Sequence, residues 1–125
     1  MNRASSDRVG PVGDLDARVV KSLRDAIVRR VDPLLVVLFG SQATGATHPD
    51  SDIDLLVIDE RPFSPARSRR RIIGDIRRHL PSDVHPIDVL LFDATELQRW
   101  RYTTNHVISR ALREGVVLYE RPGTR

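Results

Sequence analysis

The spacing of apolar residues divides the chain into alternating helical and strand-like segments. Val19, Leu23 and Ile27 recur at every fourth residue, which is the spacing of an amphipathic helix. This pattern predicts a helix over 15–31, with Asp14 as its N-cap.

Three largely apolar runs predict strands at 34–39, 53–58 and 87–92. The first run, and the second after its aspartates, are typical of strands that are buried on both faces. Between the first two, Ser41 follows a glycine and could cap a short helix over 42–46. The connection there is short, so the pattern leaves open whether the first two strands are parallel.

The remaining segments alternate in the same way. A helix over 66–80 should turn four apolar residues inward: Ile72, Ile73, Ile76 and Leu80. Asp93 with Glu96 three residues later has the form of a capping box, which predicts a helix from 94 to about 114 that could break near Thr103. Gly115 is a natural C-cap, and a short strand is expected after it.

The order of these elements predicts an α/β fold, a small mixed β-sheet flanked by helices. We expect a single domain over 14–120, a flexible N-terminal arm over 1–13 and a tail over 121–125. We also expect Trp100 and Tyr102 to pack in the core rather than to meet a partner.

Composition narrows the functional classes only slightly. The 125 residues carry a net charge of +3, almost all of the positive charge from arginine. A basic surface suits a nucleoside triphosphate or nucleic acid, but a solvated arginine-rich surface is an equal alternative.

There is no cysteine, which excludes disulfides, thiolate nucleophiles and Cys-ligated zinc. No apolar run is long enough to span a bilayer and 1–11 has no signal-peptide core, so we expect no membrane association and a cytoplasmic location.

Three aspartates carry the strongest chemical signal. Asp52 and Asp54 are separated by one residue at the start of the second apolar run, so strand alternation places them on the same face. Asp88 begins the third run, where a buried carboxylate would need a cation or a metal. If these strands are neighbours, the three carboxylates converge on a site of hard oxygen ligands suited to Mg²⁺ or Mn²⁺.

The pair Gly40-Ser41 supplies a second element of the predicted site. It lies where a strand should turn into a helix, and free backbone N–H groups and the helix dipole favour a phosphate there. A phosphate-binding turn beside a site for two metal ions is typical of active sites that catalyse phosphoryl or nucleotidyl transfer.

In this order and spacing, the glycine–serine pair and the three aspartates resemble the polymerase-β-type nucleotidyltransferase superfamily. The small size, and the closing segment 108–120, are similar to its minimal branch, called MNT, which acts as antitoxin to HEPN-type toxins. The resemblance implies that Gly40 and Ser41 hold the β- and γ-phosphates of ATP or another triphosphate. It implies that Asp52 and Asp54 bind both metal ions, and that Asp88 completes the catalytic metal site and accepts a proton.

The resemblance departs from the minimal branch at two positions. Members of this branch commonly carry an aromatic or basic residue after the Gly-Ser pair and an arginine two residues further on. Here these positions hold Gln42 and Thr44. A cationic contact to the triphosphate is therefore missing from the motif, which leaves a weak or inactive member open.

Two readings of the function follow. The leading one is a metal-dependent nucleotidyltransferase that moves a nucleoside monophosphate, AMP from ATP, to a hydroxyl of a partner HEPN-type toxin. The alternative is a catalytically weak or inactive module of the same fold that neutralises its partner by binding. A third class, RNA binding through the arginines of 67–78, is less favoured because the segment lacks aromatic residues for base stacking.

Overall fold

The structure, a computed structural model, describes residues 10–13, 15–40, 43, 52–81 and 86–123. Within them, four helices accompany one four-stranded mixed sheet, as the sequence predicts. The elements in chain order are α1 (Ala17–Val31), β1 (Leu35–Phe39), β2 (Ile53–Asp59), α2 (Arg69–His79), β3 (Ile87–Asp93), α3 (Ala94–Trp100), α4 (Val107–Glu114) and β4 (Val116–Glu120).

The strands lie in the order β3-β2-β1-β4. β1 is antiparallel to both β2 and β4, whereas β2 and β3 are parallel. The parallel pair starts in register, since Ile53 lies beside Ile87 and its N–H donates to the Pro86 carbonyl at 2.8 Å. The beginnings of β2 and β3 therefore lie together at one end of the sheet, next to the end of β1.

Helices cover both faces of the sheet, which explains why β1 and β2 are apolar without alternation. On the first face α1 and α2 pack against alternate strand residues such as Val36, Leu55 and Val89. On the second face α3 and α4 pack against the intervening residues, such as Val37 and Leu56.

Helix α1 begins two residues later than the sequence analysis places it. Its N-cap is Asp16, whose side chain accepts a hydrogen bond from Val19 N at 3.0 Å. Leu15 precedes the helix, is buried, and exchanges backbone hydrogen bonds with Val12. The predicted cap, Asp14, lies outside the described residues. Val12 belongs to the predicted flexible arm, and these bonds attach its end to the domain.

Helix α2 also begins late, at Arg69 rather than at 66. A tight backbone pairing between Ser64 and Arg67 occupies the preceding residues, and Ser68 then caps the helix. The capping box of Asp93 and Glu96 is confirmed, with both reciprocal hydrogen bonds present.

The predicted break in the last helical segment is confirmed, and two aromatic residues beside it differ in their burial. Trp100 ends α3, packs against the second-face core and stacks on His106 with ring centroids 4.5 Å apart. Tyr102 lies in the turn beyond, and 87% of its surface is exposed. The prediction of core packing is therefore confirmed for Trp100 and wrong for Tyr102, because the helix ends before Tyr102.

Arg121 joins the start of the predicted tail to the domain. Its N–H donates to the Leu34 carbonyl, and its guanidinium pairs with Glu60 at 2.7 Å. None of the helices in the described part of the chain has the length and apolar character needed to cross a bilayer.

Candidate active site

Asp54 lies at the centre of the candidate site. It is the second residue of β2 and shares the second sheet face with Leu56 and Ile58, because alternate strand residues point the same way. Those two residues are covered by α3 and α4, whereas Asp54 is only partly buried at the end of the sheet. Its carboxylate therefore lies at the end of the sheet where β2 begins.

Asp88 is the direct neighbour of Asp54 in the parallel register of β2 and β3. Adjacent strands lie about 4.8 Å apart, so the two carboxylates start from neighbouring backbone positions on the same face. Asp52 precedes β2 by one residue and is exposed. The condition that the second and third strands be neighbours is thus met.

Asp88 is exposed, so the cost that burial of this carboxylate would carry does not arise. The reason is its position, because β3 is an edge strand of the described sheet and Asp88 is its second residue. The partly buried member of the group is Asp54 instead.

The pKa of Asp54 is affected by both of the other aspartates. Its pKa is raised above the ordinary value of 3.8, first by burial, then by the negative charge of Asp88 and then by that of Asp52. Like charges at short range disfavour the ionised form, and a cation placed among them would restore it. Among the described residues, however, no three acidic or histidine side chains stand in a ready-made metal-binding cluster.

Gly40 closes the site from the side of β1. Phe39 is paired with Asp54 across the antiparallel ladder, and Gly40 follows it with a φ of 84°. A Cβ at position 40 would fall inside van der Waals contact with the Asp54 carboxylate oxygen and 3.2 Å from its Cγ. Glycine is therefore required here both for the left-handed backbone and for space beside the carboxylate.

The contact between Gly40 and Asp54 is the feature that the sequence analysis missed. The sequence assigned Gly40 to the approach of a phosphate, and nothing in its pattern set the antiparallel register that brings it to Asp54. Several residues of the predicted site lie outside the described residues: Ser41, Gln42, Thr44 and the rest of the predicted short helix apart from Ala43.

The donor chemistry fits a divalent cation. Three carboxylates supply only hard oxygen ligands. The pKa of Asp54 is raised first by burial and then by the negative charges of Asp88 and Asp52, and a bound cation would offset both effects. Gly40 brings the backbone of β1 against the same carboxylate. Carboxylates that can hold cations suit a phosphorylated substrate better than an apolar one.

Comparison with known proteins identifies the class. Residues 20–118 match the nucleotidyltransferase domain family, and the chain belongs to that family. The match includes β1, β2 and β3 and every described residue of the candidate site. No curated protein sequence matches the chain significantly.

Two solved structures have the same fold. One is a candidate nucleotidyltransferase from Sulfolobus solfataricus, with a TM-score of 0.53 and 19% identity over 83% of this chain and 79% of the other. The second is a toxin-antitoxin crystallised with AMP-PNP, with a TM-score of 0.55 and 20% identity over 81% of this chain and 73% of the other. At this level of identity the two structures support the fold, which agrees with the predicted fold class.

Proposed function

We propose that the chain is a metal-dependent nucleotidyltransferase that transfers AMP from ATP to a hydroxyl group of a partner protein. The observation that carries the proposal is the placement of Asp54 beside Asp88 in register, with Gly40 against the same carboxylate. Membership of the nucleotidyltransferase domain family supports the reaction class.

In this proposal each residue has a distinct task. Asp52 and Asp54 would hold two Mg²⁺ or Mn²⁺ ions, with Asp88 completing one of the two sites, and the ions would supply charge neutralisation for the triphosphate. Gly40 and Ser41 would receive the β- and γ-phosphates at the turn after β1. Asp88 is exposed and so is accessible to an acceptor approaching from solvent.

In the proposed transfer, the acceptor hydroxyl oxygen bonds to the α-phosphorus of ATP while the bond between that phosphorus and the α–β bridging oxygen breaks. Pyrophosphate leaves with the bonding electron pair, and the hydroxyl proton passes to the carboxylate of Asp88. Holding the acceptor and the triphosphate side by side contributes to the rate by orientation.

The partner we propose is a HEPN-type toxin, so that the chain acts as antitoxin in the cytoplasm. The fold of this chain is similar to that of a toxin-antitoxin crystallised with AMP-PNP. The described domain is small, so a macromolecular acceptor would supply its own docking surface. The acceptor group we favour is a tyrosine or serine hydroxyl.

Intact mass spectrometry tests the proposal. The chain is incubated with ATP, Mg²⁺ and the HEPN-type protein encoded nearest to it, and the partner is weighed. We expect the partner to gain one or more AMP units, and Asp54→Asn to abolish the gain, because a neutral amide cannot balance the cations. No gain in mass, with a tight complex that also forms with Asp54→Asn, would instead favour neutralisation by binding alone.

A further inference from the structure

A second charged cavity lies away from the candidate active site. It is bounded by the end of α1, the loop 60–68 and the first turns of α2, and has a volume of about 410 Å³. Five arginines and two aspartates contribute to its lining: Arg29, Arg30, Arg61, Arg67, Arg71, Asp32 and Asp75. We call this cavity the arginine cleft.

Both aspartates of the cleft lie beside an arginine. Asp75 accepts two hydrogen bonds from Arg30, at 2.9 and 3.2 Å, and these bonds lower the pKa of Asp75. Asp32 lies 3.6 Å from the guanidinium of Arg121, which is itself outside the cleft. The lining therefore has more arginines than carboxylates, and Asp75 is already engaged by Arg30.

Three of the arginines are left without an acidic partner. Arg67 pairs with buried Asp59, but the guanidinium groups of Arg29, Arg61 and Arg71 form no ion pair with any residue that the structure describes. Three guanidinium groups that share one cavity repel each other, and an anion among them would relieve that repulsion.

The loop that carries Arg61 is held by buried hydrogen bonds. Asp59, which is 2% exposed, accepts from Arg61 N at 3.0 Å and from the guanidinium of Arg67. Arg67 in turn donates to the carbonyls of Arg61 and Pro62. The backbone of the cleft is thus fixed before any ligand arrives, which lowers the entropic cost of binding.

The arginine cleft and the aspartate site lie at opposite ends and on opposite faces of the sheet. Asp54 begins β2 on the face of α3 and α4, whereas Asp59 ends β2 on the face of α1 and α2. Five residue steps along a strand span about 17 Å. A ligand in the cleft therefore cannot reach the carboxylates.

We propose that the arginine cleft is a second binding site, which takes a compact oligophosphate, either free or as the phosphate chain of a nucleotide. Guanidinium groups bind phosphate through paired hydrogen bonds, and several arginines suit adjacent phosphate groups. The volume is in the range of small-molecule sites. No aromatic side chain is among the described lining residues, so the cleft offers no stacking surface for bases and favours the phosphate chain.

The test is a calorimetric titration with inorganic tripolyphosphate in EDTA, at physiological ionic strength. Removing divalent cations keeps the aspartate site from attracting the same anion. We expect saturable binding that the double variant Arg61→Gln/Arg71→Gln weakens at least about tenfold, since each charged hydrogen bond contributes about that factor. Both residues are exposed, so the variant should fold, which circular dichroism checks.

The matched control is Arg70→Gln/Arg77→Gln. It removes the same charge from exposed residues of α2 that do not line the cleft, and should leave affinity within about twofold. ATP compared with tripolyphosphate distinguishes the two sources of phosphate, and either can support the proposal. Asp54→Asn should bind as the parent does, which separates this proposal from the proposed transferase activity.

Four results would overturn the assignment. An equal loss in both double variants would mean non-specific attraction to the basic helix. Binding that survives Arg61→Gln/Arg71→Gln but changes with Asp54→Asn would place the anion at the other end of the sheet. Tighter binding of a poly-glutamate peptide or of single-stranded RNA than of tripolyphosphate would assign the cleft to a macromolecular partner. No measurable binding of tripolyphosphate or ATP would leave the cleft without the proposed ligand.

Discussion

Replacing Gly40 with alanine tests the geometry of the candidate site most sharply. The substitution adds one methyl group, and two separate costs follow from the structure. The first is backbone strain at a φ of 84°, which costs an L-residue roughly 1–2 kcal/mol. The second is the overlap of the new Cβ with the Asp54 carboxylate, which must be relieved by movement.

The chain offers a control that separates these two costs. Gly123 has a nearly identical φ of 82°, but a Cβ there would meet nothing within 4 Å. Gly123→Ala should therefore carry only the backbone strain. The difference between the two variants measures what the methyl group does to Asp54.

The expected displacement of the carboxylate is roughly 1 Å, the shift that restores an ordinary van der Waals contact. A displacement of this size at reacting groups can lower a rate on the order of 100-fold. We expect Gly40→Ala to remain folded, to unfold at lower urea concentration than the parent, and to lose roughly that factor in AMP transfer. Gly123→Ala should keep its activity.

Urea denaturation followed by circular dichroism measures the stabilities, and transfer of the labelled α-phosphate of ATP measures the activity. If Gly40→Ala transfers AMP as fast as Gly123→Ala, the close approach of Gly40 to Asp54 has no part in function. If Gly40→Ala fails to fold, the position is structural and the activity arm is replaced by the Asp54 variants.

Three further substitutions test separate parts of the structure. In metal-free protein, Asp54→Asn should be more stable than the parent at pH 7. Because the pKa of Asp54 is raised in the folded state, ionisation of Asp54 lowers the free energy of unfolding as pH rises from about 3.8 through the folded pKa. The urea midpoints of the two proteins should therefore be equal near pH 3 and differ above it. Asp93→Ala breaks the capping box with Glu96 and should lower the free energy of unfolding in urea by about 1 kcal/mol. Asp93→Ser keeps a capping side chain and should retain most of that stability. Gly115→Ala would place a Cβ 2.5 Å from the Ala111 carbonyl and should cost about 1–3 kcal/mol by overpacking; an unchanged melting temperature would contradict this contact.

The sequence identifies the aspartates of the candidate site, but it does not predict which strands lie beside them or how exposed each side chain is. The period of two along a strand is enough to place Asp52 and Asp54 on one face, and an aspartate inside an otherwise apolar run draws attention to Asp88. Which strands are neighbours depends on long-range pairing, which local pattern does not contain. The exposure of Asp88 likewise follows from the edge position of β3.

The sequence predicts an element well where a local signal is strong, and misplaces its ends where tertiary contacts decide them. The capping box at Asp93 is such a local signal, and the structure confirms it at the start of α3. The start of α1 after its N-cap Asp16 depends on Leu15 being buried before the helix, and a pattern of apolar spacing cannot distinguish such a residue from a helical one. The arginine cleft joins Arg29 to Arg61 and Arg71, which only the packing of α1 beside α2 brings together.

In the proposed function, carboxylates on neighbouring strands form one metal-dependent nucleotide site. A titration with paramagnetic Mn²⁺ in the presence of a non-hydrolysable ATP analogue, followed by nuclear magnetic resonance of the backbone amides, tests this directly. We predict that the amide signals of Asp54 and Asp88 broaden first and together, and that Asp54→Asn removes this broadening. Broadening that spares Asp54 and Asp88, or that persists unchanged in Asp54→Asn, would contradict the proposed site.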